Sequence, residues 1–282
     1  MDCATTPPIV QSGTANIPGP PLTGYPKTMD TLHTLDTVAG LVRDAQRILF
    51  ITGAGISADS GLPTYRGFGG LYNGNTTEEG LDIEEALSGD MLRQRPDITW
   101  KYIAQIEATC RGAQPNAAHR AIARLEAERG GITVLTQNID GLHRDAGSRD
   151  LIEIHGSLHR LTCLGCAALF AVEDYAGLDI PPVCPDCGGL LRPDVVLFGE
   201  ALPGEAIEHL NDTLSRGVDL VFSIGTTSVF PYIAGPVAYA RQAGIPTVEI
   251  NPGESRVTPL VDYRLPMGAA AALEAILERA GL

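Results

Sequence analysis

The chain has 282 residues, 44% of them hydrophobic, enough to bury one large core or one core plus a small satellite. Its 20 Lys and Arg against 34 Asp and Glu leave a formal charge of −14, which argues against binding by neutralisation of many phosphates, so no direct nucleic-acid partner is expected. No stretch reaches the roughly 18 apolar residues of a membrane span, and the N-terminus lacks a basic start with an apolar run of signal-peptide length. The expectations are no membrane partner and a cytoplasmic location, where thiols stay reduced.

Residues 1–30 are rich in Pro, Gly and Thr without periodicity. Such a composition does not offset chain entropy, and a flexible tail is expected there. From Leu32 the pattern changes: Leu32, Leu35, Val38, Ala39 and Val42 fall at helical spacing, and Arg47–Thr52 is a short apolar run that ends in Gly53-Ala54-Gly55. Further runs follow at Ile132–Thr136, Leu151–Ile154, Val195–Phe198, Val218–Ile224 and Pro246–Ile250. Helical patterns alternate with them at Asn116–Arg129, Gly204–Ser215, Tyr232–Ala243 and Ala269–Ala280. Short apolar strands alternating with amphipathic helices predict a doubly wound α/β fold with a parallel sheet covered on both faces. Its ligand site belongs at the carboxyl ends of the strands, where Gly53, Gln137, His155 and Gly225 fall.

Two segments break the alternation, 67–114 and 157–191, and read as insertions that form a smaller domain beside a core of 31–66, 115–156 and 192–282. The second carries Cys163-x2-Cys166-x17-Cys184-x2-Cys187, the spacing of a zinc ribbon. Four thiolates fill a tetrahedral shell and leave no open position for water, so the metal would be structural. Two disulfides are the competing reading, disfavoured in a reducing compartment. A nucleic-acid module is disfavoured too, because residues 157–191 contain one Arg and no Lys. Cys3 and Cys110 receive no role.

The run Gly53-Ala54-Gly55-Ile56-Ser57 to Gly67 lacks the G-x-G-x-x-G fingerprint, yet its backbone N–H groups could cradle a pyrophosphate, with Arg66 as a fixed positive charge nearby. His155 ends an apolar run, a position for a general base or for a hydrogen-bonded core histidine. Asn138 and Asp140 offer an amide and a carboxylate, and Asp140 is equally a good helix cap. His119 and His143 lie in helical patterns and keep a structural reading.

These motifs, in this order from about residue 40 to the C-terminus, resemble the sirtuin family. Gly53–Gly67, with Ala54, Ser57, Tyr65 and Arg66, is similar to the family's NAD-binding turn and the start of its cofactor loop. Gln137-Asn138-Ile139-Asp140 resembles the nicotinamide and ribose pocket, and His155-Gly156 the catalytic histidine segment. Val195–Glu200, with Val196, Leu197, Phe198 and Gly199, resembles the acyl-peptide groove; Gly225-Thr226-Thr227-Ser228 and Ile250-Asn251-Pro252 resemble further NAD contacts. The resemblance implies a Rossmann-like core with a zinc-binding and helical small domain. It also implies an enzyme that removes acyl groups from lysines of proteins, consumes NAD as a co-substrate and holds structural zinc. The acyl oxygen would displace nicotinamide, and His155, with Asn138 and Asp140 in the same site, would then activate a ribose hydroxyl. The products would be free lysine, nicotinamide and O-acyl-ADP-ribose.

Two departures stand out. Tyr65 replaces the family's usual phenylalanine. The stretches Gly55–Gly61 and Gly67–Gly70 resemble the branch that removes acidic acyl groups, yet anchoring the next helix on Trp100 puts Ile103 and Ile106 where that branch has a Tyr-x-x-Arg pair. The two isoleucines then either pack the core or line a pocket for neutral acyl chains. Two other functions remain open at this point: an ADP-ribosyltransferase or NAD hydrolase with the same pocket, and a noncatalytic NAD or ADP-ribose sensor.

Overall fold

The computed structural model describes residues 30–64 and 76–282. The expectations for the N-terminal tail, for Tyr65 and Arg66, and for 67–75 fall outside the described residues.

The Asp30 carboxylate accepts from the Leu32 amide at the start of helix α1 (Thr31–Asp44), which buries Leu35, Val38, Ala39 and Val42 along one stripe. Strand β1 (Ile48–Thr52) is buried throughout and runs into a 3-10 turn, Ala54–Ser60. Three helices follow the undescribed segment: α2 (Ile83–Ala86), α3 (Gly89–Gln94) and α4 (Pro96–Cys110). Helix α5 (Ala117–Arg129) opens on a capping box between Asn116 and His119. Then come β2 (Ile132–Thr136), the one-turn α6 (Leu142–Asp145) and β3 (Leu151–Glu153). The chain next forms β4 (Gly156–Cys163), β5 (Leu169–Ala171) and β6 (Leu191–Val195). It closes with α7 (Gly204–Arg216), β7 (Leu220–Ile224), α8 (Pro231–Gln242), β8 (Thr247–Ile250), β9 (Tyr263–Leu265) and α9 (Ala269–Ala280).

The main sheet has the order β3-β2-β1-β7-β8-β9 and every pairing in it is parallel. Alternate residues of its central strands serve two cores. Phe50, Val134, Phe222 and Val248 face α1, α5 and α9; Leu49, Ile51, Leu135 and Val221 face α7 and α8. That double cover explains why these strands read as unbroken apolar runs rather than as alternating ones. Each fully buried Phe, Leu or Ile contributes about 1.5–3 kcal/mol by leaving water, and the Phe50 and Phe222 rings stack at 4.8 Å across β1 and β7. The chain winds one way from β1 to β2 and β3 and then returns to β7, so a switch point lies beside β1 at the carboxyl end of the sheet. This is the Rossmann-like arrangement expected from the sequence.

The second body joins helices α2–α4 to an antiparallel sheet of order β5-β4-β6. Its core holds Leu92, Trp100, Ile103, Leu161, Tyr175 and Leu191. The Trp100 Nε1 donates to the Leu191 carbonyl at 2.9 Å, so the two insertions share one interior. One expected strand differs: Val195–Phe198 is not a strand of the parallel sheet. The strand is Leu191–Val195, paired antiparallel with β4, and Val196–Phe198 continue as an extended segment that bonds Val196 N to the His155 carbonyl at 2.9 Å. Among the described residues no helix is long and apolar enough to cross a membrane.

Candidate active site

The carboxyl ends of four parallel strands bring together segments far apart in the chain. Behind β1, Gly55 N donates to the Gly225 carbonyl behind β7 at 2.8 Å. A methyl group has no space there: a Cβ on Gly55 would stand 2.6 Å from Gly225 Cα, and one on Gly225, at φ +59°, would stand 2.4 Å from Ile56 N. Behind β2, the Gln137 amide donates to Thr226 Oγ1 at 2.8 Å. The Asn138 amide donates to the Gly53 carbonyl and to Ser57 Oγ, each at 3.2 Å. Ser57 Oγ donates in turn to Asp140 Oδ2 at 2.7 Å. Behind β8, Asn251 Nδ2 donates to the Thr226 carbonyl at 3.0 Å, and Arg256 N donates to the Thr227 carbonyl at 3.1 Å. Burial pushes the Asp140 carboxyl above its usual range, against the Ser57 hydroxyl and the Leu142 amide, which favour its charged form. Asp140 is not the cap of α6, which is Gly141; its Oδ1 accepts from the Leu142 amide at 3.0 Å and so steadies the entry to that turn, while the carboxylate also lines the site.

His155 follows β3 at the edge of this cleft. Its Nδ1 lies 3.0 Å from the Gln137 carbonyl and its Nε2 lies 2.8 Å from the Tyr232 hydroxyl. A carbonyl only accepts, so Nδ1 carries the proton and Nε2 of the neutral ring presents its lone pair. Phe230 and Tyr232, at the start of α8, meet the imidazole edge-on at 6.0 and 5.8 Å. Neither aromatic was singled out from the sequence, since they sit at a helix start with no motif spacing of their own. His119 and His143 stay in the core: His143 Nε2 lies 3.0 Å from Thr52 Oγ1, and the two rings meet edge-on at 4.8 Å.

A cavity of about 240 Å³ adjoins Ser57, Asn138, Ile139 and Asp140 and is walled by α4. Its α4 face is Tyr102, Gln105, Ile106, Thr109 and Cys110. Ile106 lines it as expected. Ile103 does not: its side chain is 2% exposed and belongs to the second core. Helix α4 is turned so that Tyr102 and Gln105 form the i, i+3 pair facing the cavity. The Tyr102 hydroxyl donates to the Glu79 carboxylate and accepts from Glu78 N at 3.1 Å. Burial pushes the Cys110 thiol up to about 12, which keeps it protonated.

Residues 53–231 match the family model of the Sir2 family. The chain belongs to that family, the sirtuins. It is 54% identical over 240 residues to the NAD-dependent protein deacylase 2 of Pseudomonas aeruginosa, covering 84% of this chain and 93% of that one. It is 40% identical over 241 residues to the NAD-dependent protein deacylase 2 of Pyrobaculum aerophilum, covering 86% and 94%. Among solved structures, a Sir2 homologue in complex with NAD superimposes with a TM-score of 0.78 at 35% identity, over 87% of this chain and 93% of that one. A Sir2–p53 peptide–NAD+ complex superimposes with a TM-score of 0.74 at 30% identity, over 90% and 99%.

The extended segment after β6 places its residues unequally in this sirtuin. Val196 is half-buried beside His155; Leu197 is buried in the second core, with Phe198 packed against it and bridged to Ser88; Gly199 is exposed at φ +82°. Cys163, Cys166, Cys184 and Cys187 bring their Sγ atoms within 4.8 Å of one another, with Cys163 to Cys187 at 3.5 Å and Cys166 to Cys184 at 3.8 Å. Zn–S bonds of about 2.3 Å give tetrahedral edges of about 3.8 Å, close to the 3.5 and 3.8 Å separations of these two pairs, so the thiols fit Zn²⁺. The amides of Cys166 and Gly165 donate to Cys163 Sγ and hold that thiol down at about 6. With four sulfur ligands the metal braces the fold and takes no part in chemistry.

Proposed function

We propose that this sirtuin removes neutral acyl groups from protein lysines at the expense of NAD, with His155 as general base. The observation that carries the assignment is the imidazole itself, held through Nδ1–H by the Gln137 carbonyl so that Nε2 is the accepting nitrogen, met by the Tyr232 hydroxyl at 2.8 Å. Membership of a family whose curated relatives are named NAD-dependent protein deacylases supports the reaction class.

The residues fit the dinucleotide. The amide of Asn138 and the carboxylate of Asp140 sit beside a cavity, as a carboxamide would need, and the touching Gly55 and Gly225 backbones bring amides of two strand ends to one place. When bound, NAD supplies an electrophilic ribose carbon, from which nicotinamide departs, and a ribose hydroxyl that carries the acyl group away. Asn138, Ile139 and Asp140 would hold the nicotinamide end, with Gln137 supporting them. Gly53, Ala54, Gly55, Ser57, Gly225, Thr226, Thr227 and Asn251 would bind the rest of the dinucleotide, and Tyr65 and Arg66 would complete it. His155 Nε2 would take the proton of the ribose hydroxyl. Val196 and Gly199 would offer backbone groups to the peptide, with Leu197 and Phe198 fixing the segment from the core side.

The acyl preference follows from the cavity. Among its described lining residues there is no Lys, Arg or His, the Tyr102 hydroxyl is engaged by Glu79, and the position one turn on is the neutral Gln105. An acidic acyl group would meet no charge-assisted partner there and would face Asp140. This reading also places the enzyme in the cytoplasm, supported by the free thiols assembled for a metal, and leaves nucleic acid and membrane out as partners.

The test is a panel of peptides bearing acetyl-, succinyl- and long-chain acyl-lysine, incubated with NAD and read by mass spectrometry. Acetyl or longer neutral chains should react and succinyl should not; preferential desuccinylation overturns the pocket argument. Nicotinamide release that needs no peptide would mark an NAD hydrolase instead. A His155→Ala protein that turns over normally would leave the base assignment without support.

A further inference from the structure

We propose that Tyr232 is a positioning residue for His155, holding the imidazole from its Nε2 side while the Gln137 carbonyl holds Nδ1. The proposal deepens the reading of His155 as general base and rests on it. With the ring proton fixed on Nδ1 by the carbonyl, the 2.8 Å contact to Tyr232 must be donated by the phenol. An imidazole gripped at one nitrogen still swings about that bond. Gripped at both, it keeps one ring plane.

The second grip is itself well anchored. Tyr232 stacks on Phe230 at 5.3 Å with 12° between the ring planes, and both stand edge-on to the imidazole. Their backbone is fixed at the start of α8, where the Phe230 carbonyl accepts from the Ile233 and Ala234 amides at 3.0 Å each. The neighbouring Ile233 side chain is fully buried against the main sheet. The phenol thus comes from a different element than either the base or the Gln137 carbonyl, and the ring is set by three connections of the sheet at once. Nε2 has a single lone pair in the ring plane, so an arriving substrate hydroxyl takes the phenol's place there and finds the ring already aimed, while the displaced phenol O–H donates to that hydroxyl's oxygen and keeps it directed at Nε2.

The test is Tyr232→Phe, which removes one oxygen and keeps the stacked ring. Three quantities are compared with the parent protein: the rate of acyl transfer from an acetyl-lysine peptide, the rate of exchange of labelled nicotinamide into NAD in the presence of that peptide, and the ¹⁵N resonances of the His155 ring. The expected result is acyl transfer lowered about fivefold to tenfold, the effect of one hydrogen bond. Nicotinamide exchange should be unchanged, because the base is needed only after nicotinamide has left. The Nε2 resonance should move toward that of an unbonded ring nitrogen. A protein damaged in its fold would lose both rates together, and that outcome overturns the proposal, as do an unchanged or raised rate of acyl transfer and an unmoved Nε2 resonance. If the parent protein shows neither exchange nor transfer, the deacylase reading is what fails, and the Nε2 resonance still decides whether the phenol grips the ring.

Discussion

Ser57 Oγ donates to Asp140 Oδ2 at 2.7 Å and so ties the turn behind β1 to the loop behind β2. The two loops come from neighbouring parallel strands, and the bond is their closest side-chain link in the cleft. Because burial already pushes Asp140 upward, the Ser57 hydroxyl is the largest of three groups restraining that shift, with the Leu142 amide and the His159 ring.

Ser57→Ala should therefore raise the Asp140 pKa further. If the carboxylate form binds nicotinamide, activity at saturating peptide will fall more at mildly acidic pH than at about pH 8, and the acidic limb of kcat/KM for NAD will move to higher pH. Superimposable pH profiles for the parent and the variant would remove Asp140 from the binding machinery.

Trp100 is the only tryptophan of the chain and is fully buried in the core shared by the two insertions. It is a built-in reporter of the metal. Stripping zinc with a chelator, or Cys184→Ser, should shift its emission to the red, since the small module depends on metal binding worth about 10–16 kcal/mol in isolated zinc-finger peptides. Emission that stays unchanged after one equivalent of zinc has been released means the module is held by its side chains alone.

Burial holds His119 down at about 4 and His143 well below its usual value. Both pKa values are depressed on folding, so their effect is absent above the unfolded value of about 6.5 and stability is lost as pH falls toward the folded values. At about pH 5, His119 alone should cost about 2 kcal/mol relative to neutral pH. Urea midpoints measured across this range test it: His119→Asn should flatten the slope, and an equal slope would falsify the assignment.

Glu249 is completely buried in β8, accepts from the Ser255 and Thr258 hydroxyls, and lies 3.7 Å from Arg264 Nε. Through these bonds it fixes the loop that starts at Asn251. Glu249→Ala leaves Arg264 without this partner and two hydroxyls unanswered, a loss of about 3 kcal/mol in unfolding free energy. It should also raise KM for NAD through the loosened Asn251 while leaving kcat within a few-fold, a split that steady-state kinetics at fixed peptide resolves.

Sequence pattern revealed the parallel sheet because its strands are buried on both faces and bounded by glycine turns. It also revealed the metal cluster, since two Cys-x2-Cys knuckles carry their own geometry. It did not reveal β9, whose three residues Tyr263–Leu265 include an arginine and no apolar run. It misjudged Val195–Phe198, because an apolar run looks the same whether it enters the main sheet or leaves a neighbouring one. The face of α4 was misread by one position: Trp100 packs inward on the Leu191 carbonyl, which turns Ile103 into the core and Tyr102 toward the cavity. Tyr232 was invisible for a different reason, as its partner is 77 residues away and no local spacing connects them.

Gly55 and Gly225 block each other. A side chain on either is stopped by the backbone of the other, so no change at one position makes room at its neighbour, and a double replacement is worse than each single one. Saturation mutagenesis should leave these two sites with one permitted letter each. Any altered preference for a dinucleotide must then be engineered from the rim of the cleft, never from its floor.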